Sequence, residues 1–146
     1  LLNNQNSSAL VSARVTGQAG YGLYRAASGM LTPVAVLGQA MPGGASFKSL
    51  AFADNGQSTH ATSAATEAGQ HAFVATQDDN STAVYRVGPD GTLALIAKTG
   101  MTTPLGNITA FGQHSPPAMN SQGQVMVSAR FDNGPDTLVL LTPPAP

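Results

Sequence analysis

The sequence predicts an all-β fold built from tandem antiparallel units of about 62 residues, with almost no helix. Three observations carry that expectation. Short apolar stretches with a period of two recur along the chain, as where Ala83, Tyr85 and Val87 alternate with Val84 and Arg86. Clusters of Gly, Pro, Asp and Asn separate these stretches, among them Gly88-Pro89-Asp90-Gly91. The order of strand and turn then restarts: Tyr24 to Tyr85 is 61 positions, and Gly29 to Gly91, Gly38 to Gly100 and Pro42 to Pro104 are each 62. No window carries a helical period.

Taken in order, the polar, Asn-rich stretch from Leu1 to Ser8 reads as a loop or lead-in. Ala9 to Val15 is a strand, and the Gly17–Gly20 cluster turns the chain into a second strand, Tyr21 to Ala26. Ser28-Gly29 turns into Met30 to Leu37, where Pro33 lacks an amide donor and so demands an edge strand or a bulge. Gly38 to Gly44 is loop, and Phe47 to Ala53 is a short strand closed by Asp54-Asn55-Gly56. Gln57 to Ala65 has little period and reads as weak strand or loop.

A second round opens with the strand Gln70 to Thr76 and the turn Asp78-Asp79-Asn80-Ser81. The strand around Ala83 to Val87 and the strand Thr92 to Lys98 flank the Gly88–Gly91 turn. Gly100 to Asn107 reads as loop, Ile108 to Phe111 as a short strand and His114 to Pro117 as a stiff connector. The third round starts at Asn120. Val125, Val127, Ala129 and Phe131 fall on one face of its strand, with Met126, Ser128 and Arg130 on the other. Asp132 to Asp136 turns into Thr137 to Leu141, and the proline-rich end cannot continue a ladder. The expected organisation is one all-β domain over 1–146. It holds about two and a third repeats, roughly 4–65, 66–119 and 120–142, with a tail over 143–146.

The totals narrow the function. Charged residues make up 9% of the chain against a usual level of about 25%. Hydrophobic content of 42% with a formal charge of −1 fits a folded protein with a neutral polar skin, not a disordered one. The basic residues Arg14, Arg25, Lys48, Arg86, Lys98 and Arg130 are scattered, which argues against nucleic acid as a partner. Absence of Cys removes disulfides, thiolate chemistry and Cys-ligated zinc. No apolar run approaches the length of a membrane-spanning helix, so this segment is not expected to insert in a membrane. With no initiator Met and no signal-like start, the chain reads as a processed or excised segment.

Thr66-Glu-Ala-Gly69-Gln-His-Ala72-Phe73 and Asn120-Ser-Gln-Gly123-Gln-Val-Met126-Val127 share a phrase, with a looser version near Asn4, Ser7, Leu10 and Val11. These residues resemble the bacterial tandem-repeat family recognised by an Asn-x-x-Gly-x-x-Ala-Phe motif. The resemblance implies β-rich repeats, blade-like as in a propeller or alternatively a β-sandwich, on an exported protein with a surface anchor. It supplies no catalytic residue. Physically the motif is scaffolding: Asn bonds its own backbone, Gly takes positive φ, and the apolar pair begins a buried strand.

Candidate chemistry is sparse. His60, His71 and His114 have no partner at metal-ligand spacing, and His71 beside Ala72-Phe73 reads as a packed strand residue. No Gly-x-Ser-x-Gly elbow is present, and Gly17-Gln-Ala-Gly20-Tyr-Gly22 has no following helix to make a nucleotide loop. Glu67 and Asp90 could pair for glycosidase chemistry only through the fold. Asp78, Asp79, Asp132 and Asp136 lie in acidic turns that could hold calcium, although such residues are also ordinary in exposed turns. Tyr21, Tyr24 and Tyr85 could offer a sugar platform, but cross-strand packing accounts better for the repeat-equivalent pair Tyr24 and Tyr85.

The function expected from these observations is that of a non-enzymatic extracellular or cell-surface structural protein, secreted and processed. It would pair with other copies of itself through strand edges into a fibre or matrix, without a cofactor. Val125, Val127, Ala129, Phe131, Leu138 and Leu140 are the expected pairing residues. The alternative is a carbohydrate- or calcium-binding surface module. An enzyme fragment lacking its catalytic half is a third reading.

Overall fold

A computed structural model describes residues 8–51, 61–63, 66–112 and 116–143. Among them there are twelve strands and no helix. The strands are β1 (Ser8–Ala13), β2 (Gly22–Ala27), β3 (Met30–Ala35), β4 (Phe47–Leu50), β5 (His71–Gln77) and β6 (Thr82–Val87). They continue as β7 (Leu93–Lys98), β8 (Thr102–Thr103), β9 (Gly106–Phe111), β10 (Ala118–Met119), β11 (Val125–Phe131) and β12 (Asp136–Leu141). They form three antiparallel sheets. The first runs β1-β2-β3 and the middle one β4-β5-β6-β7. In the last, β12 lies along one side of β11, β10 and β9 share its other side, and β8 continues beyond β9.

Side-chain alternation makes the stack. Phe73, Ala75, Ala83, Tyr85 and Val87 leave one face of the middle sheet and pack with Leu10, Leu23 and Val34 of the first. Ala72, Val74, Val84 and Ala97 leave the opposite face and pack with Ile108, Phe111, Val125, Val127 and Ala129 of the last. The middle sheet is therefore buried on both faces, and this explains why Ala72 to Ala75 of β5 is a continuous apolar run instead of an alternating one.

The units repeat down to their irregularities. In the first sheet Leu23 faces Ala35 and Tyr24 faces Pro33, with a register shift between them; in the middle sheet Val84 faces Ala97 and Tyr85 faces Leu95, with the same shift. The Phe47↔Gln77, Ser49↔Thr76 irregularity recurs as Ile108↔Phe131, Ala110↔Arg130. Pro33 thus sits on an edge strand and beside a bulge, where its missing N–H costs no ladder bond. The sheets run across the sequence repeats: β4 precedes Thr66 yet pairs with β5, and β9 precedes Asn120 yet pairs with β11. Each unit gives a strand to the next sheet, which ties consecutive units together.

Gly100 to Asn107, read as loop from sequence, instead holds β8 and the start of β9. They form a small hairpin in which Thr102 and Thr103 face Asn107 and Gly106. Its Pro104-Leu105 tip is short enough to pair the flanking residues, which the Gly and Pro content concealed. Strand ends elsewhere move by one or two residues, as where β3 stops at Ala35 because Gln39 bonds back to Val36. The Asp54-Asn55-Gly56 turn, most of Gln57 to Ala65, His60, His114, the Asn4 phrase and the 144–146 end lie outside the described residues.

Candidate functional site

The shared phrase builds the same turn twice. Thr66 N–H donates to Gln70 O and Gly69 N–H to Thr66 O, while Thr66 Oγ1 accepts from Gln70 N–H. Asn120 N–H donates to Gln124 O and Gly123 N–H to Asn120 O, while Asn120 Oδ1 accepts from Gln124 and Gln122 N–H. Gly69 and Gly123 have φ of 77° and 79°, the left-handed region that a Cβ disfavours. The turn then delivers His71-Ala72-Phe73 and Val125-Met126-Val127 into the core strands. These residues position a strand.

The acidic turns are also copies of one device. Asp78 N–H donates to Ser46 O and Asp78 Oδ1 accepts from Ser46 N–H. Asp132 does the same with Asn107, 61 positions after Ser46. Each aspartate fastens its hairpin turn to the lead-in of the strand donated from the previous unit. Asp79 accepts from Ser81 and pairs with Lys98 at 3.0 Å, which holds its carboxyl down at about 2. Asp136 pairs with Arg130 at 3.0 Å. All four calcium candidates are thereby engaged within the protein, and among the described residues no group of three or more His, Asp or Glu converges. Asp79, Asn80, Thr99, Thr102, Asn107 and Ile108 are among the residues lining an open cleft of about 700 Å³, half polar and half apolar, between the middle and last sheets.

His71 is 1% exposed under the first sheet, and burial, with positive Arg25 nearby, pushes its imidazole down to about 4. Neither ring nitrogen has a hydrogen-bond partner among the described residues. Tyr85 stacks on its cross-strand neighbour Phe73 and, like Tyr24, is buried, while Tyr21 is exposed, so the three do not share one open surface. Glu67 and Asp90 stand in two separate turns, the second bonding its own loop through Thr92 N–H.

The expected pairing residues divide into two groups. Val125, Val127 and Ala129 are buried and point at the middle sheet, with Phe131 packed beside them. Their strand β11 is paired on both sides, so it offers no open ladder. Leu138 and Leu140 on β12 are 65% and 57% exposed, and the outer edge of β12 has no partner among the described residues. The sequence missed that Met126, 40% exposed and opposite Leu140, belongs to the same outward apolar surface. Its alternation with Val125 and Val127 carried that signal.

Comparisons with curated proteins and with solved structures each return no match. The family model of DUF7453, a family of unknown function, matches residues 1–137, and the chain belongs to that family.

Proposed function

We propose that this chain is a non-enzymatic structural protein of the extracellular space or cell surface that associates with copies of itself through open strand edges. The observation that carries this reading is the state of β12. In the middle sheet the corresponding strand, β6, has β7 on its far side; β12 has nothing there among the described residues. Unpaired edges are templates for another strand, and proteins usually guard them with Lys, Pro or a bulge. From Thr137 to Leu141 there is no charge and no Pro, and the single acid of β12, Asp136, is taken by Arg130. A net charge of −1 gives little repulsion between copies. The polar skin, the absence of Cys and the resemblance to exported repeats support an extracellular setting.

Sedimentation velocity over a wide concentration range, with negative-stain microscopy, tests this reading. Concentration-dependent oligomers or fibres support it; a monomer throughout contradicts it. A second reading, a glycan-binding surface module, draws on the open cleft of mixed polarity beside Asp79 and Asn107. A glycan array read against Asn107→Ala decides it.

A further inference from the structure

The two end faces of the stack continue the pattern by which the sheets pack inside it. Leu23, Val84 and Leu138 are counterparts in the three sheets, each next to the residue at the repeated tyrosine position: Tyr24, Tyr85 and Val139. Leu23 is buried because the middle sheet lies on it, and Val84 because the last sheet does. Leu138 points the same way and is 65% exposed. Met126 likewise stands where β5 carries fully buried Ala72. Among the described residues, nothing covers the face of the last sheet that corresponds to the covered faces of the other two.

The opposite end is complementary. The outer face of the first sheet is formed by Ala9, Val11, Tyr24, Ala26, Leu31 and Pro33, which are cross-strand neighbours without a charge among them. It corresponds to the face, Phe73 and Tyr85 included, that the middle sheet presents to the first. Val11 and Leu31 are 37% and 56% exposed there while Tyr24 is already buried, and a groove of about 330 Å³ runs past Ala9, Ala26 and Leu31, so the open part of the face is the Val11 and Leu31 side. On the last sheet the charges beside Leu138 and Leu140 among the described residues are Arg130 and Asp136, and they neutralise each other.

We infer that the outer face of the last sheet is a docking surface for the outer face of the first sheet of a second copy, which repeats between chains the sheet-on-sheet contact made twice within one. This rests on the reading that the chain associates with itself, and it makes the face contact the one on which pairing along the edge of β12 depends. The two faces differ, so the contact is head-to-tail: repeated, it closes a ring or extends a filament.

The test uses the full chain and two variants at exposed positions, Leu138→Glu at one end and Leu31→Glu at the other, each checked for folding by circular dichroism and melting. Sedimentation velocity and native mass spectrometry should show oligomers of the parent chain, monomers of each variant, and a one-to-one heterodimer when the variants are mixed. That heterodimer arises because each variant keeps the face the other lacks. If the parent associates and both variants associate equally well, the face contact is wrong while edge association stands. If the mixture stays monomeric, head-to-tail stacking is wrong. A parent chain that remains monomeric overturns both readings.

Discussion

Tyr85 stacks on Phe73 with ring centroids 5.4 Å apart and donates its hydroxyl hydrogen to Pro42 O. Tyr24 holds the same place after the same bulge, 61 positions earlier, on the face where the stack ends. The same backbone device thus serves two environments, one roofed by a neighbouring sheet and one on the outer face of the first sheet, where Tyr24 is nevertheless only 6% exposed. Gln77 Nε2, buried, donates to the Tyr85 oxygen, so Tyr85→Phe leaves that amide and Pro42 O short of a partner. Urea denaturation should show a loss of about 1–3 kcal/mol for Tyr85→Phe. Tyr24→Phe, with no such pair among the described residues, should lie within about 0.5 kcal/mol of the parent.

Gly91 and Gly123 separate two costs of adding a Cβ. Both have positive φ, 85° and 79°, so alanine at either is strained by roughly 1 kcal/mol. At Gly91 the new carbon meets nothing within 4 Å, whereas at Gly123 it meets Arg86 Nη1 at 2.9 Å and Gln70 Oε1 at 3.5 Å. Gly123→Ala should therefore destabilise more than Gly91→Ala in the same denaturation series, and equal losses would show that the Arg86 side chain moves aside freely.

Both positive-φ glycines were legible because Gly at that spacing, after Asn120 or inside Gly88-Pro-Asp-Gly91, has a local reason that sequence displays. The strands were legible for the same reason, through their period of two. Which strand lay at an edge was not. Val125 to Phe131 looks like a pairing strand on its own, and only the return of β9 and β10 to one side and β12 to the other fills its ladders. The acidic turns invited a calcium reading because Asp side chains close turns and bind cations with the same oxygens. The partners that hold these turns in the fold, Ser46 and Asn107, lie 32 and 25 positions away.

Those partners make a direct prediction. Asp78→Ala and Asp132→Ala should each lower stability by about 0.5–1.5 kcal/mol through loss of the bond to Ser46 or Asn107. The loss should be the same with calcium and with chelator. A melting temperature that rises with calcium in the parent and not in the variants would give these turns a metal-binding role.

His71 predicts a pH dependence with a definite sign. Its folded-state value, lowered by burial to about 4, lies below the unfolded value near 6.5. Between these values the unfolded chain binds a proton that the folded chain refuses, so stability falls as pH drops through that window. The full effect is of the order of 3 kcal/mol, reached near pH 4. Replacing His71 with Gln removes the titrating group and should flatten the stability profile between pH 6.5 and 4. A profile unchanged by that substitution would assign the acid sensitivity to other groups.

The central claim is that the last sheet ends in an open strand which copies of the chain can use, and amide hydrogen exchange across a dilution series reads it most directly. The account predicts slow exchange throughout β5 and β6 at every concentration. In β12 it predicts residues that exchange fast in dilute solution and become protected as concentration rises. Amides of β12 as protected as those of β6 at the lowest concentration, with no change on concentrating, would contradict it.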